Sequence, residues 1–460
     1  MADADSRGGD LLLTPAQMES DLEQLVAVLG RAWAYAQDKR EHFGVDLGSL
    51  LEEHRALIEG TKTRRQFLDI VVRLVAALRD GHAWATINGV PLFPRRRWPF
   101  HLVDTVEGLV VTPVVRARAS RPAVGDRLLA VGGRAIEDLV TEASLRVPAS
   151  TDGMRRALAI ASLHFTEASR FEATFEPLAG PSYDMASDTL ISEELAEPER
   201  SWIEWRRLEP TVGYVRIQSF AAANLRELMA ARPGRRERMI AAQRSEIARA
   251  FAELDSTDAL ILDLRGNSGG TDWLGETVAK HLLAPGFTYF RLETHASPDL
   301  AALPEFATPG LLGWLRAIPV LALAIWQELF SSARSAVQPD LLGTPRDRAV
   351  KPYAGKPVVI VDAGCFSATD NLVACLADQH PHIRLVGRPT GGGTGAPRTL
   401  VTLRHSRIEV TFCVMRVYRP RGELIEGRGT KPHATVAWSR RDVLEGTDPD
   451  LAAALREARA

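Results

Sequence analysis

The stretch "KPVVIVDA" (356–363) constrains this chain most. An unbroken apolar run of this length reads as a strand buried on both faces, and such a strand needs cover on both sides. "VGYVRIQSF" from Val212 to Phe220, "DALILDLRGNSGG" and "IRLVGRPTGGG" also read as strands. Between them lie helical patterns: "RRERMIAAQRSEIARAFAEL", "WLGETVAKHLL" and "NLVACLADQ". Strand-helix-strand alternation predicts a layered α/β domain with at least some parallel strands. It occupies 181–460, with an insertion at about 295–350.

Two other textures precede it. Residues 1–92 read as a helical domain: from Thr14 to Leu78 apolar residues recur at three-to-four spacing. Thr14-Pro15 supplies a cap followed by proline at the first helical position, and Asp80-Gly81 supplies a glycine stop just before His82. Residues 93–180 open on Arg95-Arg96-Arg97 and turn to short strands: "WPFHLVDTV", "GLVVTPVV" and "DRLLAVGG". The helical "TDGMRRALAIASLHF" follows, then an acidic, poorly periodic connector from about Ser182 to Arg200.

Composition excludes several classes. In 460 residues, a formal charge of -2 offers no bulk attraction to nucleic acid. Three cysteines (Cys365, Cys375, Cys413) make no disulfide framework and no C-x-x-C spacing, which fits a reducing compartment. "MADADSRGGD" carries no signal-peptide pattern. The apolar stretch 311–330 is interrupted by Arg316 and Pro319 and falls short of a membrane span. The expectation is a soluble, cytoplasmic protein with no stable membrane insertion.

Four places carry chemistry. In "GCFSATDN", Ser367 stands where a buried strand turns into a helix. It is either an N-cap, with Asp370 completing a capping box, or a nucleophile beside the orphan amides of a helix start. "LDLRGNSGG" ends in Gly269-Gly270, whose amides can approach a ligand, unless the loop is a turn closed by an Asp263–Arg265 pair. His82 past a helix end is either a stabilising cation or a base. In "RGELIEGRGTKPH", Glu423 and Glu426 are loop carboxylates, and either could orient a histidine. Gly391, Gly392 and Gly393 imply close backbone approach, to substrate or to another segment. No histidine pair has metal-ligand spacing.

In this order the motifs resemble the C-terminal-processing (tail-specific) serine peptidases, and most closely their tricorn-type branch. The residues are "LRDGH", "VGDRLLAVGGR", "VGYVRIQSF", "LDLRGNSGG", "FSATD", "GRPTGGG" and "EGRGTKPH". The resemblance implies a crotonase/ClpP-like layered α/β core, an N-terminal helical domain and a PDZ-like β-rich module at 93–180. It implies Ser367 as nucleophile. One branch activates the serine with a lysine, but none lies between Ser367 and Lys431. The tricorn-type branch uses a histidine and a glutamate, which here are His82 and Glu426. Gly269 or Gly270 with Ala368 would form the oxyanion hole, and Gly391–Gly393 would meet substrate. No metal or organic cofactor is implied. The partner would be a peptide or protein C-terminal segment, and the apolar stretch of the insertion could serve as a lid or as a homo-oligomer contact. Two other functions fit the same fold: hydrolysis of a small acyl or amide substrate, and a catalytically inactive binding module.

Overall fold

The computed structural model describes residues 11–87, 94, 96–112, 122–191, 201–221, 233–294, 336–337 and 350–460. The expected insertion, with the apolar stretch 311–330, lies outside the described residues apart from 336, 337 and 350.

The buried runs build a six-stranded sheet. Its order is Ile203–Glu209, Val212–Ile217, Ala259–Asp263, Lys356–Val361, Arg384–Gly387 and Ala434–Thr435. The first pair is antiparallel and the remaining neighbours are parallel. Successive side chains alternate between the faces. Val359 and Val361 pack with Leu372, Leu376 and Val278 under the helices Pro233–Leu254, Asp272–Leu282 and Ala368–Gln379. Val358 and Ile360 pack with Ala453 and Ala454 under the helix Pro449–Arg459. Cover on both faces is why the strand reads as an unbroken apolar run.

The N-terminal helices do not close on themselves. They share one core with Val401, Leu403, Ile408, Val410 and Phe412. The strand Trp84–Thr86 pairs antiparallel with Glu409–Cys413. The helical pattern that starts at Pro15 is broken into Pro15–Ala32 and Ala36–Phe43. At the break, Ala34 N–H donates to Cys413 O (3.0 Å) and Tyr35 Oη donates to Thr394 O (2.8 Å). Tertiary bonds replace helical ones there, and local periodicity carries no trace of them.

Residues between 101 and 188 form an antiparallel sheet of His101–Thr105, Gly108–Thr112, Arg127–Val131, Arg170–Glu176 and Tyr183–Asp188. The helices Ile136–Ser144 and Asp152–Leu163 pack on it. The last strand corrects the expected connector. Tyr183–Asp188 alternates half-buried and exposed residues along an edge, too weakly apolar to read as a strand. The whole is a mixed α/β multidomain fold. No helix among the described residues is long and apolar enough to cross a membrane.

Candidate active site

The strand Lys356–Val361 ends in a turn that holds Ser367 at φ 58°, a region that costs a non-glycine residue about 1–3 kcal/mol. Backbone bonds pin the turn on several sides. Phe366 N–H donates to Asn267 O (3.1 Å), Ser367 N–H to Gly393 O (2.7 Å) and Gly391 N–H to Cys365 O (2.8 Å). The N-cap alternative is corrected. A cap residue has extended backbone, and Ser367 does not; its side chain makes no capping bond. Asp370 reaches the glycine loop instead. Its carboxylate accepts from Gly392 N–H (2.8 Å), Gly393 N–H (3.1 Å) and the Thr390 hydroxyl. Burial pushes its pKa up to about 7, with those three donors opposing.

His82 meets this serine across 285 residues of sequence, with Nε2 3.0 Å from Ser367 Oγ. The helix Arg64–Ala77 delivers it. The stop is Arg79, at φ 56°; the expected glycine stop at Gly81 is corrected, because Gly81 is not left-handed. Gly81 is needed for space: a Cβ there would lie 2.6 Å from Phe366 Cε2. The His82 ring stacks on Phe366 with centroids 4.4 Å apart. Its backbone N–H donates to Asp80 Oδ1 (2.9 Å). Only 6% of the residue is exposed, and Nδ1 has no partner among the described residues. Burial depresses the imidazole pKa to about 4, with the Asp80 charge opposing. The ring is therefore neutral near pH 7, and Nε2 can accept a proton when Nδ1 carries the ring hydrogen.

The glycine pair sits against Ser367. A Cβ on Gly269 would lie 2.7 Å from Ser367 Cβ and 2.9 Å from Ala368 N. Gly269 N–H is already turned to Asn267 Oδ1 (2.9 Å). Phe220 bonds Gly269 O and Thr271 N in a parallel bridge opposite Gly270. That pairing turns the Gly270 N–H away from Phe220. Ala368 opens the serine helix, so its N–H has no intrahelical acceptor. In the same loop Asp263 and Arg265 do pair, through Oδ2 and Nη2 at 2.6 Å, and Arg265 also grips Asp448. The loop is therefore both a locked turn and a neighbour of the serine.

Glu426 is fully buried. Oε1 accepts from Lys39 Nζ (2.8 Å) and Oε2 from Thr394 N–H (3.1 Å). Among the described residues, no direct hydrogen bond joins it to His82. Burial pushes its pKa up, and the Lys39 ammonium pulls against that. Glu423 is exposed, in a turn where its carbonyl accepts from Arg419 N–H. The three glycines approach protein. A Cβ on Gly391 would lie 2.9 Å from Ala363 O, one on Gly392 2.6 Å from Gly429 N, and one on Gly393 1.8 Å from Phe366 Cε2.

Sequence reasoning missed Asp80, Lys39 and Ser150. Ser150 Oγ accepts from Gly81 N–H at 2.9 Å. Asp80 had a usable signal, a carboxylate two residues from the histidine; Lys39 and Ser150 had none. Among the described residues, Asp80, His82 and Cys413 are the group of side chains that could together hold a metal ion.

Comparison with known proteins bears on the family and the fold. Residues 211–436 match the profile of peptidase family S41. No curated protein matches by sequence. Among solved structures, mature CPAF complexed with lactacystin superposes with a TM-score of 0.73 at 16% identity, covering 96% of this chain and 97% of that one. Mature CPAF alone gives 0.71 at 16% identity, over 93% and 94% of the two chains. The photosystem II D1 C-terminal processing protease gives 0.46 at 18% identity, over 97% and 98%. At these identities the CPAF likeness is one of fold.

Proposed function

From the premise that residues 211–436 belong to peptidase family S41, we propose that this chain is a serine peptidase working through an acyl-enzyme on Ser367. The contact between His82 Nε2 and Ser367 Oγ, at 3.0 Å, carries the reading. Nε2 takes the Oγ proton as Oγ attacks the peptide carbonyl, then gives that proton to the departing amine. A water, deprotonated by the same nitrogen, releases the acyl group. The Gly270 and Ala368 amides receive the negative oxygen of each tetrahedral intermediate, while Gly269 keeps the approach open. The carboxylate of Asp80 favours the transient imidazolium through its charge.

In this reading 1–92 delivers the base, 93–180 is a PDZ-like module, and 181–460 is a crotonase/ClpP-like core. A PDZ-like sheet takes an extended peptide by strand addition, near a free carboxylate. The substrate is then a polypeptide with an accessible C-terminus. The test is mass-spectrometric cleavage of a peptide library offered with free and with amidated C-termini, alongside small amides. The reading expects cleavage of free-ended peptides, abolished in Ser367→Ala. Turnover of small amides alone, or cleavage that survives Ser367→Ala, overturns it.

A further inference from the structure

Around the proposed base lies a buried carboxylate, imidazole and thiol whose capacity to bind a metal the hydrolytic chemistry leaves unused. Asp80, His82 and Cys413 each place one ligating atom within 4.8 Å of the others, and all three residues are buried. Nε2 of His82 is engaged by Ser367 Oγ, so the nitrogen left for this group is Nδ1, which has no partner among the described residues. Asp80 is fixed by Trp33 Nε1 (2.9 Å) and by the His82 backbone N–H (2.9 Å), with lone pairs to spare. The Cys413 thiol lies over Gly395, where a Cβ would come within 2.4 Å of the sulfur.

The geometry points to an inhibitory site for one borderline-soft divalent cation, zinc being the best match, bound by Asp80, His82 Nδ1 and Cys413 Sγ. Carboxylate, imidazole and thiolate are the ligand types zinc accepts. Zinc bond lengths place tetrahedral ligands about 3.5 Å apart, so the group needs only a modest contraction. On binding, the thiol proton leaves to solvent and a Zn–S bond forms. The ring hydrogen moves from Nδ1 to Nε2 as the Nδ1 lone pair is taken by the metal. Nε2 then carries a hydrogen and cannot accept the Ser367 proton. Zinc therefore blocks general-base catalysis without touching the serine. The blockade rests on the serine peptidase reading; the site itself does not.

The experiment uses the full chain with two readouts. Cobalt(II) titration follows the thiolate-to-cobalt charge-transfer band. Fluorophosphonate labelling of Ser367 is timed with and without zinc, then after chelation. The proposal expects a band saturating at one equivalent, labelling slowed by zinc and restored by chelator. In Cys413→Ala the band disappears, labelling without metal keeps its rate, and zinc sensitivity falls at least about tenfold. Cys413→Ser serves if the alanine variant fails to fold, with circular dichroism as the check. Absence of the band, its survival in both Cys413 variants, or equal zinc sensitivity in them overturns the site. A band without any labelling of metal-free enzyme overturns the peptidase reading and with it the blockade, while the site stands.

Discussion

Ser367 and His82 lie 3.0 Å apart and are held in opposite ways. The serine turn is fixed by backbone bonds to Asn267 and Gly393, and the glycine loop it leans on is gripped by Asp370. Asn267 and Gly393 lie in loops that follow the central strands Ala259–Asp263 and Arg384–Gly387. The histidine comes from a different core, the one the N-terminal helices share with 401–414. It has one backbone bond to Asp80, a ring stacked on Phe366 and an unpartnered Nδ1. The serine side is set by backbone hydrogen bonds, and the histidine side by ring packing and one bond to a carboxylate. Pre-organised donors stabilise a transition state because they need no rearrangement during reaction.

If the two halves act as one unit, their losses do not add. Ser367→Ala is expected to lower kcat for peptide cleavage by about 10⁶-fold, His82→Ala by nearly as much, and the double variant no further. Steady-state kinetics on the three proteins checks this, and additive losses would separate the two residues. Next comes the tie between the cores. Lys39→Met leaves Glu426 buried without its cation, which costs about 3–5 kcal/mol and lowers Tm. Adding Glu426→Gln should recover most of it in the same melt; no recovery would mean that Lys39 matters for packing alone. On the serine side, Asp370→Ala strands the Gly392 and Gly393 amides at about 2–3 kcal/mol, read as a lower Tm together with slower Ser367 labelling.

The smallest effect is in pH. His82 titrates in the folded chain at about 4. On the proposed reading the neutral ring is the base, so kcat/KM should hold through mildly acidic pH and fall as pH drops through about 4, not near the ordinary 6.5. His164 and His281 are depressed to about 4 as well, both by burial. An unfolded chain protonates all three below 6.5 and the folded chain does not. Stability is therefore full above 6.5 and is lost as pH falls toward 4, which a series of thermal melts measures. A flat Tm across that window would contradict the burial of these rings.

Much of the serine side was legible in sequence, because strand, turn and helix there are contiguous. "KPVVIVDA" followed by "GCFSATDN" announces the succession of strand, turn and helix, and Val358–Val361 obey it. The base side was legible only as a motif. "LRDGH" marks His82, but nothing local shows that Gly81 makes room for Phe366 or that Arg79 supplies the stop. Lys39 lies in a polar helix whose sequence gives no sign that its ammonium is buried on Glu426. Asp370 looked like a cap partner by its spacing from Ser367. The left-handed serine released it to hold the glycine loop, a conformation that residue types do not announce. Pairings across hundreds of residues leave no periodic trace, and they are what separates this site from its motifs.

The claim that an imidazole from the opening helices activates a distant hydroxyl is tested most directly by the rate of fluorophosphonate labelling, with the adduct located by peptide mapping. Fast labelling confined to Ser367 in the wild type, and reduced at least about a hundredfold in His82→Ala, is the expected result. Labelling at another residue, or at Ser367 with an unchanged rate in His82→Ala, would contradict the account.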